Sequence, residues 1–349
     1  MKCGVGSYTQ CLANALAERV GVKVGVLTNK DATHNPKNPK HANLEIYAVI
    51  KKWHIFELIK VIKCVANFNP DIIHIQYPTQ GYSGRIPMFL PLVMLLLRKK
   101  CLQTWHEPIL DKSGILLTIG MRVLITVRKE LLSILPRFII QQLKNTNIIW
   151  VPTASLLPTV AQSEEHRLEI RKKYITKGRV LLVFYGFLAP LKGIEALFEI
   201  VARTNYHLLL ACDFNKADEY HNFLLDKIKS LGISSKINII GFLPDEELSS
   251  VLSASDVAIF PFRNGFQAFN TSVDGAIAHG LFVLTTSTMK NGYDVLKNIY
   301  FAKVGDIDEM ILAIQKYSKI RNPIMSSADT WDVIVDKHIE IYKEKISIQ

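Results

Sequence analysis

Short uninterrupted apolar runs recur along the chain, and between them apolar residues return every three or four places. In the first half the runs lie at 22–28 (VKVGVLT), 71–76 (DIIHIQ) and 101–106 (CLQTWH); in the second they lie at 180–185, 206–212, 236–241, 256–261 and 281–286. Apolar runs with little polar alternation predict strands buried on both faces, and the helical period between them predicts helices that cover those faces. Strand and helix alternating in this way specify doubly wound parallel sheets, so the expected fold is α/β with two Rossmann-like units. The segment 151–166, VPTASLLPTVAQSEEH, carries two prolines and a polar run and reads as the linker, which divides the chain into 1–150 and 151–330. From 331 onward Ile334, Val335, His338, Ile339, Tyr342 and Ile346 form one helical stripe, so a last helix over 331–349 must pack on something.

Three longer apolar stretches, 86–97, 114–127 and 131–143, stand apart from this pattern. Each is shorter than the roughly 20 residues a bilayer-spanning helix needs, and Pro87, Pro91, Arg122 and Pro136 interrupt them. Arg98, Lys99, Lys100, Arg128, Lys129 and Arg137 follow closely. Two readings stand side by side: helices that cover a sheet, or helices that hold the domain on an anionic membrane surface.

Charge sharpens the second reading. Residues 1–155 hold 20 Lys and Arg against 8 Asp and Glu, whereas the remainder holds 22 against 23, so the whole excess of +11 is explained by the first half. One basic domain implies an anionic partner, be it nucleic acid, lipid headgroups or a phosphorylated acceptor, or else a merely solvated basic face. Cys3, Cys11, Cys64, Cys101 and Cys212 are scattered and odd in number, which argues against a disulfide framework or a zinc site and for a reducing compartment. The first residues show no cationic segment followed by an apolar run, so the expected location is cytoplasmic. His34 and His41 lie in a loop rich in Asn, Pro and Lys and read as solvated, and no metal is expected.

The candidate chemistry sits where glycine turns meet helices. CGVGSYTQ offers Gly4 and Gly6 ahead of a helix, a place where backbone N–H groups approach phosphates. TWHEP ends an apolar strand with His106 and Glu107; His74, inside a strand, reads as structural. In FYGFLAPLKG, Lys192 opens the helix that begins near Gly193, where an ammonium joins helix N–H groups on an anion. The run PFRNGFQAFNTSVDGAIAHGLFVLTTS supplies Arg263, and Asn270, Thr271 and Ser272 at the start of the next helix.

These two C-terminal motifs together resemble the nucleotide-sugar half of GT-B glycosyltransferases, close to family 4 (glycosyl transferases group 1), and the resemblance extends over essentially the whole chain. It implies two Rossmann-like domains facing across a cleft, with the last helix crossing back to the N-terminal one, and a retaining, metal-independent transfer with no cofactor besides the nucleotide-diphosphate sugar substrate. It assigns His106, Lys192 and Arg263 to catalysis, and Gly4, Gly6, Gly186, Phe187, Asn270, Thr271 and Ser272 to the donor. The acceptor implied is a glycan or lipid-linked precursor for polysaccharide or glycoconjugate synthesis, with the enzyme peripheral on the inner membrane face and no nucleic acid bound.

The sequence departs from the family at several points. Relatives often carry Arg where Phe187 stands and a cation where Phe269 stands; many carry paired glutamates where Gln267 and Gly275 stand, so the chain resembles a subgroup lacking that pair. Relatives also begin with a parallel strand ahead of the Gly4 turn, and its absence implies either a start downstream of the true one or a lost strand. These losses leave a second expectation, a non-catalytic binding or scaffolding member of the family. A Rossmann dehydrogenase is disfavoured, because the glycine turn lacks G-x-G-x-x-G spacing and follows no strand.

Overall fold

The computed structural model describes residues 4–31, 41–79, 82, 84, 86–112, 114–159, 162–175, 178–267, 269–324 and 327–347. The chain divides into two compact units, residues 1–153 with 328–349, and residues 154–327.

In the first unit β1 (Val24–Asn29) pairs in parallel with β2 (Leu44–Ile50), while β3 (Ile73–Tyr77), β4 (Cys101–Trp105), β5 (Val123–Thr126) and β6 (Asn147–Trp150) form a second all-parallel sheet in chain order. The helix Gly4–Ala17 buries Tyr8, Leu12, Ala13, Leu16 and Ala17, spacings that put one face on the sheet side. The last helix, Ser327–Ser347, belongs to this unit and buries Trp331, Ile334, Val335, His338 and Ile341. Its entry is tied down by Arg19, whose Nη2 lies 2.8 Å from Asp332 and 3.0 Å from Asp336.

The apolar stretch 114–127 is not one helix. Helix Gly114–Thr118 stops, Gly120 turns the chain at φ +69°, and the β-branched residues that follow enter β5 with all four side chains buried. The stretch 131–143 breaks at Pro136 into Leu131–Ile134 and Arg137–Gln142, because proline cannot donate into the preceding turn. Among the described residues no helix is long and apolar enough to cross a membrane.

In the second unit the strands are β7 (Leu181–Tyr185), β8 (His207–Ala211), β9 (Ile237–Ile239), β10 (Val257–Phe260), β11 (Phe282–Ser287), β12 (Gly292–Asp294) and β13 (Ile299–Lys303). Their order is β12-β13-β11-β10-β7-β8-β9, parallel except for β12. Every residue of β7, β8 and β10 is buried, as expected for strands covered on both faces. The chain winds outward from β7 through β8 to β9, then returns to the other side of β7 at β10. The crevice beyond the C-terminal ends of β7 and β10 is therefore the topological switch point, where open α/β sheets bind ligands.

Candidate functional site

Two loops meet at that switch point, and glycine makes their meeting feasible. After β7, Gly186 takes φ +122° with open space where a side chain would be, and Phe187 is 54% exposed. A short turn, Pro190–Lys192, leads to Gly193 at φ +67°; a Cβ there would collide with the carbonyl of Pro261 in the loop after β10. The Arg263 N–H donates to the Leu191 carbonyl at 3.0 Å, which locks the two loops side by side. Lys192 thus stands at one side of the crevice, with Nζ 4.9 Å from the centre of the Phe262 ring.

Arg263 does not stand alone. Its Nη2 donates to Glu195 Oε1 at 2.7 Å; the arginine side chain is half exposed and the glutamate nearly buried. A guanidinium has five N–H donors, so donors remain for a ligand phosphate, but the local charge is halved by the carboxylate. Tyr220 closes on the same carboxylate, burial first and then Glu195 raising its hydroxyl above the ordinary range. The sequence reading missed Glu195, although an acid in the first turn of helix Ile194–Arg203 was a readable signal.

The start of helix Thr271–Ala278 is engaged within its own turn. The Asn270 N–H donates to the Gln267 carbonyl at 2.9 Å and the Thr271 N–H to the Phe269 carbonyl at 3.0 Å, so two of the three backbone donors assigned to the diphosphate are spent within the turn. Asn270 Oδ1 accepts from the Gln267 N–H at 2.8 Å, and the Ser272 carbonyl accepts from the buried Tyr185 hydroxyl. Tyr185 also closes position 275: a Cβ on Gly275 would lie 2.5 Å from its hydroxyl oxygen. A glutamate has no room there.

The other motif residues in this unit brace the loops. His279 Nδ1 donates to the Gly275 carbonyl at 2.7 Å and Nε2 meets Ser249 Oγ at 2.8 Å, and burial lowers its pKa. Thr285 Oγ1 donates to the Phe260 carbonyl and Thr286 Oγ1 to the Phe262 carbonyl, pinning the backbone that leads to Arg263.

In the first unit His106 follows β4. Its Nε2 faces Gln76 Oε1 at 2.8 Å; the Gln76 amide nitrogen lies 3.1 Å from His74 Nε2, which Thr104 Oγ1 also meets at 2.7 Å, and His74 Nδ1 reaches the Tyr342 hydroxyl at 2.7 Å. An amide oxygen only accepts, so His106 carries its proton on Nε2; the amide nitrogen only donates, so His74 carries its proton on Nδ1. Burial, then Arg128 and His338, lower His106 to about 3, and burial drives His74 well below its ordinary value, so both are neutral. Arg128 donates through Nε to the His106 carbonyl at 3.0 Å and pairs with Glu107. The Tyr8 ring, from the glycine-started helix, meets His106 edge to face at 5.0 Å. His74 is thus the hub of a network, and the alternation of β3, which puts residues 74 and 76 on one face, was the signal for it. Gly4 and Gly6 are exposed in the first turn of helix Gly4–Ala17. His34 lies outside the described residues, and His41 Nε2 is 3.2 Å from Glu18. Among the described residues no group of three metal-binding side chains converges.

The chain superposes on sucrose-phosphate synthase from Thermosynechococcus elongatus with a TM-score of 0.72 at 14% identity, covering 98% of this chain and 93% of that one. It superposes on HepE from Anabaena, solved with UDP and glucose, with a TM-score of 0.63 at 14% identity, covering 98% and 94%. The fold is therefore that of the GT-B glycosyltransferases, with α/β units built on parallel sheets. Residues 166–326, within the second unit, match the model of the family Glycosyl transferases group 1. Mannosylfructose-phosphate synthase from Agrobacterium fabrum is 29% identical over 133 residues, 36% of this chain and 29% of that protein, so the shared segment is under a third of its length.

Proposed function

We propose that the protein is a retaining, metal-independent glycosyltransferase that moves a sugar from a nucleotide-diphosphate donor to a glycan or lipid-linked acceptor. The observation that carries this reading is the pairing of the Gly186–Lys192 and Pro261–Arg263 loops at the switch point of a unit that matches the group 1 family. There the leaving diphosphate meets the Lys192 ammonium, the outer donors of Arg263 and the backbone around Gly186 and Ser272. As the bond between the sugar's anomeric carbon and the diphosphate breaks, the acceptor oxygen bonds to that carbon on the same face and its proton passes to the departing phosphate. Catalysis is then electrostatic and needs no protein nucleophile. His106, neutral and held with its proton on Nε2, is the residue of the first unit proposed to take part in catalysis.

HepE was solved with UDP and glucose, which makes uridine donors the first to test. The basic first unit, with exposed Leu95, Leu96, Leu132 and Ile134 beside its cations, supports a cytoplasmic enzyme resting on an anionic membrane face and a lipid-linked acceptor. A non-catalytic family member is the second reading, favoured by the Glu195 partner of Arg263 and by the spent amides of Asn270 and Thr271. Incubation with UDP, GDP and ADP sugars in the presence of a chelator separates the two. Release of one nucleoside diphosphate supports the enzyme; release of none supports the binding protein.

A further inference from the structure

One helix of the first unit is apolar on its outward face as well as on its inward one. After β2 a short turn, Ile55–Glu57, runs into helix Leu58–Phe68, and Leu58, Val61 and Val65 pack into the core. Those positions, spaced by three and four, are the inward face. Ile55, Phe56 and Ile59 protrude on the other side, 62%, 89% and 63% exposed, with the exposed Lys63 one turn beyond Ile59. Three large apolar side chains exposed together mark an interaction surface, since single exposed ones are ordinary but clusters are not.

The surroundings of this cluster are cationic. Residues 51–63, KKWHIFELIKVIK, hold four lysines against Glu57, a local charge of +3. Glu57 is engaged by Lys60 Nζ at 2.8 Å, and none of the ion pairs among the described residues includes Lys51, Lys52 or Lys63. Lys51, Lys52, Lys30 and Phe56 line a hollow of about 530 Å³ just past β1 and β2; its carboxylates are Asp31, which offsets Lys30, and Glu57.

The cluster stands at the same end of the unit as His106. Trp53, buried behind it, donates its indole N–H to Asn29 Oδ1 at 2.5 Å and meets the Tyr82 ring edge to face at 4.8 Å. Tyr82 stacks on Tyr77 at 6.1 Å, and the Tyr77 carbonyl accepts from the His106 N–H at 2.8 Å. The C-terminal ends of β2, β3 and β4 therefore lie on one side. Leu132 and Ile134, exposed in the helix after β5, belong to that side; Leu96, at the end of the helix before β4, belongs to the opposite one.

We propose that Ile55, Phe56 and Ile59 enter the acyl boundary of an anionic bilayer while Lys51, Lys52 and Lys63 meet its phosphates. Apolar insertion ringed by cations is the chemistry of a surface-bound helix. The strand ends and His106 then face the lipid, the side from which a lipid-linked acceptor arrives, and Leu96 stays in water. The inference rests on the membrane reading above and adds to it the docking surface and the orientation.

The test is co-sedimentation with vesicles of phosphatidylcholine alone and of phosphatidylcholine with an equal share of phosphatidylglycerol. Wild type binds the mixed vesicles and not the neutral ones. Phe56→Ser lowers that partitioning about tenfold, Phe56→Trp retains it, and Leu96→Ser, at the opposite end, changes it by no more than about twofold. Lys51→Gln with Lys52→Gln lowers it about thirtyfold, roughly fivefold for each cation near the surface. Arg98→Gln with Lys144→Gln removes the same charge before β4 and β6 and lowers it by no more than about twofold. Equal losses in the two lysine and arginine pairs, or a larger loss from Leu96→Ser than from Phe56→Ser, overturn this surface and leave the membrane reading intact. Binding of wild type to neither vesicle overturns both. Wild type that binds neither vesicle but sediments as a dimer, with Phe56→Ser a monomer, assigns the face to a second copy of the chain and overturns the lipid.

Discussion

Gly275 offers a sharp test of how the second unit is built, because the residue that closes its side is identifiable. A methyl group at 275 would sit 2.5 Å from the Tyr185 hydroxyl, whereas the next atoms, Leu157 Cδ1 at 3.4 Å and Ser155 Oγ at 3.5 Å, are at ordinary contact. Tyr185 is buried and packs edge to face on Phe260 at 5.5 Å, so it has little freedom to retreat. Gly275→Ala then incurs an overpacking cost of about 1–3 kcal/mol, offset by about 1 kcal/mol of helix propensity. Tyr185→Phe alone leaves the Ser272 carbonyl without its donor and costs about 1–3 kcal/mol. With the hydroxyl gone the methyl fits, and Gly275→Ala in that background stabilises by about 1 kcal/mol. A double-mutant cycle should thus give a favourable coupling of about 1–3 kcal/mol, read by urea denaturation or as a shift of about 2–4 °C in Tm per kcal/mol. If Gly275→Ala costs the same in both backgrounds, Tyr185 does not close the position and the account of the helix start is wrong.

Lys192→Ala should lose about 2–4 kcal/mol of transition-state stabilisation in kcat/KM, and Gln267→Ala far less; the reverse order would move the phosphate site elsewhere. Glu195→Gln removes the carboxylate that shares Arg263 and should tighten donor diphosphate binding by calorimetry, whereas weaker binding would mean that Glu195 is needed to aim the guanidinium. His106, His74 and His338 are neutral in the folded first unit, lowered by burial to about 3, well below normal, and to about 4 respectively. The unfolded chain protonates them below about pH 6.5, so stability holds above that pH and falls by about 1.4 kcal/mol per pH unit per histidine on acidification; a urea midpoint unchanged from pH 7 to pH 5 would contradict this. Gln76→Leu should let the His106 proton redistribute between its two nitrogens, visible in imidazole nitrogen NMR shifts, and unchanged shifts would remove Gln76 from that role.

Much of the second unit was legible because its strands are short apolar runs bounded by glycine and proline: β7, β8, β9 and β10 lie within the expected ranges, and β11 overruns its range by one residue. Strands at the margins were harder to read. β2 and β13 carry polar or charged residues within them, β6 is four residues after a polar turn, β12 is three residues, and β5 was concealed in a longer apolar stretch. The positions of Lys192 and Arg263 beside the switch point followed from local motifs. Their electrostatic surroundings did not, since Glu195, in the first turn of a helix, meets Arg263 only when residues 68 positions apart are brought together by strand order. For the same reason the amides of Asn270 and Thr271 looked available in sequence and are engaged in the folded turn.

The central claim is that the switch point of the second unit holds a nucleotide-diphosphate sugar. Thermal stabilisation measured against UDP, GDP and ADP sugars, in wild type and in Lys192→Ala, tests it most directly, because specific binding raises the melting temperature by mass action. The account predicts that one nucleotide class stabilises the wild type and that Lys192→Ala loses most of the shift. Stabilisation by none of the three, or an equal shift in the variant, would contradict it.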